Sequence, residues 1–279
     1  EMFRYLPNFV RFNLQEIRIR SGQPVMLVTG KENLILLKRG QVCRRACEAD
    51  FAVSGEELKR IYEALCDYSV HSYEEELKNG FLTIPGGHRV GVAGRVILEG
   101  ERIKGMQHIS YLNIRVSHQK KGCADQVLPY VIGDGKIHHT LLISPPRCGK
   151  TTLLRDLIRQ SSEGTKEFPG CTVGVVDERS EIAGSYMGVA QNPVGIRTDV
   201  LDGCPKAEGM MMLIRSMAPQ VIAVDEIGTQ EEIHAVEYAM HCGCKMIASV
   251  HGASLEEAQN KPILGELIRR KRFERYIVL

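Results

Sequence analysis

Two hydrophobic rhythms divide the chain. Over residues 14–37 apolar and polar positions alternate: Glu16-Ile17-Arg18-Ile19-Arg20 has the period of a half-buried strand. Val25 to Val28 and Leu34 to Leu37 flank Gly30-Lys31-Glu32-Asn33 as the arms of a hairpin. The period then lengthens. Ser54-Gly55-Glu56-Glu57 is a capping box, with Leu58, Ile61, Tyr62 and Leu65 behind it at helical spacing. A second box, Ser72 to Glu75, opens a short helix that Asn79-Gly80 ends. Short β runs return through His88-Arg89-Val90-Gly91-Val92-Ala93-Gly94-Arg95-Val96, a turn at Glu99-Gly100, and Asn113-Ile114-Arg115-Val116. This mixture predicts a smaller α+β N-terminal domain over residues 1–135.

The second rhythm begins after Gly133-Asp134-Gly135. Thr140 to Ile143, Thr172 to Asp177, Val221 to Asp225 and Met246 to Val250 are short, continuously apolar and ended by polar residues, with helical stretches between them. Strands buried on both faces and separated by helices are the pattern of a parallel sheet, so residues 136–279 are expected to form an α/β domain. With 279 residues, 43% of them hydrophobic, both domains have material for a core. Lys plus Arg number 36 against 34 Asp plus Glu, a balance that excludes a polybasic or acidic tail as the organising feature. Nine cysteines, an odd number with no signal segment before them, point to a reducing cytoplasm. No apolar run approaches the roughly 20 residues that cross a bilayer, so the chain is expected to be soluble or peripheral to a membrane. It opens on Glu1 without a methionine and stops on Tyr276-Ile277-Val278-Leu279, which reads as an unfinished strand, so both ends are expected to be trimmed.

The chemistry starts directly after the first apolar strand of the second half. Ser144-Pro145-Pro146-Arg147-Cys148-Gly149-Lys150-Thr151-Thr152 precedes Leu153, Leu154, Leu157 and Ile158 on one helical face. A phosphate chain needs converging backbone N–H groups, a helix N-terminus, a point positive charge and a hydroxyl for magnesium. Gly149-Lys150-Thr151 supplies the last of these in the order of a P-loop, except that Ser144 stands where the template has its first glycine. Pro145 drives the residue before it into extended geometry, which a serine adopts without strain, so Ser144 is expected to sit in the β region with its hydroxyl bonded to a neighbouring backbone group.

A P-loop leaves magnesium half-coordinated, which calls for a second apolar strand ending in an acid. Val221-Ile222-Ala223-Val224-Asp225-Glu226 meets that requirement: Asp225 is placed to hold the metal with Thr151, and Glu226 to orient or deprotonate a water. Thr229-Gln230-Glu231-Glu232 then caps the next helix. Ile247-Ala248-Ser249-Val250 carries His251 to a strand end, the edge where ligands bind in such sheets, and this suits a residue that senses a terminal phosphate. Asp177-Glu178-Arg179 ends another strand and has two readings, a salt-bridged turn or part of a nucleotide site.

Taken in chain order, Ser144 to Thr152, Asp177-Glu178-Arg179-Ser180-Glu181, Asp225-Glu226-Ile227-Gly228 and Ser249-Val250-His251-Gly252 resemble the Walker A, acidic, Walker B and histidine boxes of type II and type IV secretion ATPases. Pro145 to Asp156 and the strand Met246 to His251 resemble a sporulation branch of that family. The resemblance implies a RecA-like P-loop ATPase core behind a smaller N-terminal domain, with ATP and Mg2+ as cofactors. It implies a ring of six subunits at the cytoplasmic face of a membrane, on the mother-cell side, with membrane channel or secretion proteins as partners. Carried over, Lys150 contacts the β- and γ-phosphates, Thr151 and Asp225 serve magnesium, Glu226 is catalytic and His251 occupies the histidine box.

Arginines that reach a neighbouring subunit's phosphates are sought among Arg89, Arg95, Arg115, Arg197 and Arg215. Met210-Met211-Met212 and Met217 are expected to fill core gaps. Arg269-Arg270-Lys271-Arg272 reads as the solvated end of a helix, with contact to anionic lipid or to nucleic acid as the alternatives. Nucleic acid is not the favoured partner, because the absence of tryptophan and an aromatic content of 6% leave few stacking platforms. A RecA-like motor on nucleic acid and a nucleotide-gated scaffold with little turnover stand as the alternatives.

Overall fold

The computed structural model describes residues 5–30, 32–66, 77–78, 80–146 and 148–279. The box expected at Ser72 to Glu75, its end at Asn79, and Arg147 of the phosphate loop lie outside the described residues. The chain divides into two compact units, residues 1–118 and 119–279. The division precedes the expected position near 135 because Ala124 and Val131 are buried in the core of the second unit. Asp156 also accepts a hydrogen bond from the Ala124 N–H at 2.9 Å.

In the first unit, β1 (Leu14–Arg20), β2 (Met26–Thr29), β3 (Asn33–Leu36), β4 (Val42–Cys43), β5 (Phe81–Ile84), β6 (His88–Glu99) and β7 (Arg102–Arg115) form an antiparallel sheet ordered β4-β3-β2-β1-β7-β6-β5. Register converts sequence alternation into two faces. Leu34, Leu27, Ile17, Ile114, Val90 and Leu82 stand in one cross-strand line, while Glu16, Arg115 and Arg89 stand in a line on the opposite side. The helix Gly55–Leu65 starts with the expected capping box, and Leu58 and Tyr62 are buried along it. Strand β7 is far longer than its apolar pattern announced. It runs beside β6 as a ribbon whose register shifts between Ala93 and Arg95. A Cβ on Gly94 would stand 2.7 Å from the Gln107 carbonyl oxygen, so the bulge needs glycine.

The second unit carries a two-stranded piece, β8 (Ile132–Gly133) with β9 (Lys136–Ile137), and a parallel sheet. Its strands are β10 (Thr140–Ser144), β11 (Val173–Asp177), β12 (Thr198–Asp202), β13 (Val221–Val224), β14 (Lys245–His251) and β15 (Arg275–Val278), ordered β12-β11-β13-β14-β10-β15. All five pairings are parallel. Alternation feeds two cores. Leu141, Ile143, Ile222, Val224, Met246 and Val250 meet the helices Lys206–Ser216 and Gln230–His241. On the other face Leu142, Val175, Ala223 and Ile247 meet Leu154, Leu157 and Ile158 of the helix Lys150–Glu163. The sheet is therefore covered on both sides, as parallel sheets require.

Edge strand β12 escaped the sequence pattern because Thr198-Asp199-Val200-Leu201-Asp202 is only half-buried. Of the methionines, Met210 is core, but Met212 and Met217 are 52% and 47% exposed, so those two do not fill core gaps. The basic run is exposed at the end of the helix Leu264–Arg269, and Arg270 pairs with Glu266 at 2.5 Å. Among the described residues, no helix is long and apolar enough to cross a membrane.

At the amino-terminal edge of this sheet Glu274 ties three strands together. It accepts from the His139 N–H at 2.6 Å, from Lys245 at 3.0 Å and lies 3.5 Å from His138. Partial burial opposes its ionisation, but these donors outweigh it and hold the carboxyl down at about 2. A depressed carboxylate contributes stability above its unfolded value near 4.5 and loses it as pH falls toward 2. Glu274→Gln is therefore less stable at neutral pH, and its deficit relative to the natural chain shrinks between pH 4.5 and 2 in urea titrations. A deficit that stays constant through that window contradicts the assignment.

Candidate nucleotide site

The site lies at the carboxyl ends of β10, β14 and β13, and the order of those strands explains how it closes. Strand β14 is inserted between β10 and β13, so the residues that end it stand between the phosphate loop and the acids after β13. Ser144 pairs with His251 across β10 and β14. Ser144 is fully buried at the end of β10, outside the positive-φ residues, and its Oγ donates to the Pro145 carbonyl at 2.8 Å. That is the relaxed extended geometry expected beside a proline. The loop then passes the half-buried Pro145 and the exposed Pro146, Cys148 and Gly149 before Lys150 starts the helix.

Gly149 adopts φ 89° at the helix N-cap, the left-handed region that L side chains resist. This turn aims the first backbone N–H groups of the helix outward and folds the Lys150 side chain back over the sheet edge, where it is only 5% exposed. A buried ammonium needs partners. Its Nζ lies 3.0 Å from Glu226 Oε1 and 3.4 Å from Asp225 Oδ1. The Thr151 hydroxyl donates to Asp225 Oδ2 at 2.7 Å.

The inserted strand contributes from the other side. Ser249 Oγ accepts the Glu226 N–H at 3.0 Å and donates to Asp225 Oδ1, so one hydroxyl braces both acids. His251 Nε2 lies 2.8 Å from Glu226 Oε1, and the Lys261 ammonium donates to the His251 carbonyl. Glu226 itself adopts φ 55°, a conformation that costs a non-glycine residue on the order of 1–3 kcal/mol and is held by its surroundings. Thr152, the last residue of the predicted loop, lies half-buried in the first turn of the helix.

A second layer fixes the acidic segment after β11. Asp177 is buried and accepts the N–H groups of Glu181, Ile182 and Ala183 at 2.8, 3.0 and 2.7 Å. Burial pushes its carboxyl up to about 6, against the pull of those three N–H groups. Arg155 donates to the Ile182 and Glu181 carbonyls at 2.6 and 2.7 Å. Lys206 joins Glu178 at 2.6 Å to Glu232 at 2.9 Å, and Glu232 caps the turn after the Asp225-Glu226 pair through the N–H groups of Gly228 and Thr229. A cavity of about 50 Å³ opens between these groups, lined by Asp177, Glu178, Arg179, Lys206, Asp225 and Glu226 among others.

The structure thus brings together Ser144, Lys150, Thr151, Asp225, Glu226 and His251, six of the residues singled out from sequence. It gives partners to Ser249, which the sequence places only within the histidine box, and to Arg179, whose strand end has two readings. Strand alternation is the signal for Ser249, two residues before His251 and on the same side of β14. Arg179 Nη1 faces Glu226 Oε2 at 3.6 Å. Arg197, sought as a trans arginine, donates to the Ser162 carbonyl at 2.7 Å and ties down the end of the phosphate-loop helix. Hydroxyl and carboxylate oxygens at Thr151 and Asp225 are hard donors at mutual hydrogen-bond distance, a set that fits magnesium.

A parallel sheet with helices on both faces, a phosphate loop after one strand and an acid pair after a strand two places away make up a RecA-like ATPase fold. Solved structures share it. The chain is similar to the ATPase DotB of Legionella pneumophila, with a TM-score of 0.55 and 16% identity over 88% of this chain and 64% of that one. It is similar also to the pilus retraction motor PilT with bound ADP, with a TM-score of 0.52 and 14% identity over 87% of this chain and 64% of that one. This chain spans a little under two thirds of either. The match to the family described as "Sporulation stage III, protein AA" covers residues 7–279, and the chain belongs to that family. It is 45% identical over 274 residues to stage III sporulation protein AA of Bacillus subtilis (strain 168), covering 98% of this chain and 85% of that protein.

A methyl group on Gly149 meets nothing within 4 Å, so the cost of adding one there is conformational alone. Gly149→Ala should lower the unfolding free energy by about 1–2 kcal/mol in urea titrations. A variant of unchanged stability would show that the loop relaxes out of its left-handed geometry.

Proposed function

We propose that this chain binds Mg-ATP at residues 144–152 and hydrolyses it. In this reading it works as an oligomeric ring, six-membered by its resemblance to secretion ATPases, that energises a membrane channel or export apparatus during endospore formation. The observation that carries the reading is the meeting of Lys150 and Thr151 with Asp225 and Glu226, because a P-loop and its distant acid pair must share one metal and one phosphate chain. The ATPase activity is assigned to the second compact unit, residues 119–279, and residues 1–118 are the smaller N-terminal domain. The protein acts at the cytoplasmic face of a membrane on the mother-cell side, against membrane-embedded channel or secretion proteins.

Within the site, ATP draws the Lys150 ammonium from the two carboxylates to its β- and γ-phosphates. Thr151 and Asp225 would hold magnesium, which would supply positive charge against the phosphate oxygens. Glu226, released from Lys150, orients the attacking water and takes its proton. His251, whose Nε2 already touches Glu226, is placed to respond to the presence of the terminal phosphate.

Lys150→Ala should weaken equilibrium binding of labelled ATP about 10- to 100-fold, the loss expected for charge-assisted hydrogen bonds to phosphate; unchanged affinity moves the site elsewhere. Glu226→Gln keeps the shape and loses the base, so binding persists while hydrolysis falls by about 10²–10⁴. Equal loss of binding and turnover contradicts the division of labour between Asp225 and Glu226. Turnover of the full chain separates the alternatives. Rates indifferent to single-stranded DNA or RNA at moderate salt fit an export motor, clear stimulation transfers the reading to a nucleic-acid motor, and tight binding without turnover leaves a nucleotide-gated scaffold.

A further inference from the structure

Resting on that ATPase reading, we infer that Arg179 is a catalytic residue contributed by the same chain: its guanidinium exchanges Glu226 for the terminal phosphate of ATP and neutralises the charge that develops there during hydrolysis. Four observations lead to it. First, strands β11 and β13 are parallel neighbours, with Val176 beside Val224. The segments that follow them, Asp177-Glu178-Arg179 and Asp225-Glu226, therefore leave the sheet side by side. Arg179 Nη1 lies 3.6 Å from Glu226 Oε2, while Lys150 holds the other oxygen of the same carboxylate at 3.0 Å. The guanidinium and the ammonium of the phosphate loop are thus separated by the width of one carboxylate plus two contacts, a gap that an arginine side chain spans by rotation.

Second, the backbone beneath Arg179 is fixed while its side chain is free to turn. The Asp177 carboxylate holds the N–H groups of residues 181, 182 and 183, and the Ser180 hydroxyl donates to Asp202 at 2.6 Å. Arg155 holds the carbonyls of residues 181 and 182. The Arg179 side chain is nevertheless 65% exposed. A rigid base under a swinging charged group is the construction of a preorganised site rather than of a stabilising ion pair, since so exposed a pair contributes little to folding.

Third, the neighbouring cation is already committed. Lys206 is neutralised by Glu178 and Glu232, so Glu178 is occupied and the charge of Lys206 is spent within the fold. Fourth, the cavity beside the acid pair is lined by Asp177, Glu178, Asp225 and Glu226 together with Arg179 and the committed Lys206. A terminal phosphate entering beside so many carboxylates requires an uncommitted cation on this wall to offset like-charge repulsion.

In the reaction, the water oxygen bonds to the γ-phosphorus as the bond from that phosphorus to the β,γ-bridging oxygen breaks. The electron pair of the broken bond stays on ADP, and the proton of the water passes to Glu226. Arg179 meets the equatorial oxygens of the transferring group, whose charge is greatest at that moment.

Full-length protein, Arg179→Ala and Arg179→Lys are compared for ADP affinity, for kcat and KM of ATP hydrolysis, and for affinity toward ADP with aluminium fluoride. Arg179→Ala should lower kcat at least tenfold and weaken the aluminium fluoride complex by a similar factor, with ADP affinity and thermal unfolding unchanged. Arg179→Lys should recover part of both losses. A kcat within twofold of the natural chain overturns the inference, as does a matching loss of ADP affinity. A fall in kcat with the aluminium fluoride complex intact also overturns it, because the arginine would then act only on Glu226. If the natural chain itself fails to bind ATP, it is the ATPase reading that falls.

Discussion

A cation that the fold hides from water governs this molecule. Lys150 is 5% exposed at the first turn of a helix, and a buried ammonium is tolerated only with charge and hydrogen bonds around it. Asp225 and Glu226 supply that charge, and they can do so only if β13 ends opposite the phosphate loop. The strand order delivers this by placing β14 between β10 and β13. The inserted strand then adds Ser249 and His251 to the two acids. The contacts that join Lys150, Thr151, Asp225, Glu226, Ser249 and His251 follow from neutralising one ammonium.

The same constraint makes the arrangement exchangeable. Lys150 and Arg179 balance Asp225 and Glu226 in formal charge, two against two. A nucleotide that took over Lys150 would leave the acids in excess, and a metal held by Thr151 and Asp225 would restore the balance. The left-handed backbone of Glu226 suits such a site, since local strain persists where the surroundings over-determine a conformation and the residue is needed in one place. The hydrogen-bonded segment after β11 and the Lys206 bridge between Glu178 and Glu232 would hold the frame through such an exchange.

How much of this was legible in the sequence depended on whether a feature is local. The phosphate loop and the Asp225-Glu226 pair were readable because their chemistry dictates residue types in a fixed order after apolar strands. The capping boxes at Ser54 and Thr229 were readable for the same reason. The partners of Ser249 and Arg179 are not readable, because they come from register between strands distant in the chain. Strand β12 and the outer part of β7 were missed since an edge and an extended ribbon bury too little to show a period. The compact units divide ahead of residue 135 because residues 119–135 read as loop in the sequence, whereas Ala124 and Val131 are buried in the second unit's core and the Ala124 N–H donates to Asp156.

If the buried ammonium and the acid pair exchange each other for a magnesium-bound phosphate chain, calorimetric titration of the full chain with ATP, with and without magnesium, should show saturable binding that magnesium tightens about tenfold or more. ATP that fails to bind in either condition, or binds equally well in both, would contradict it.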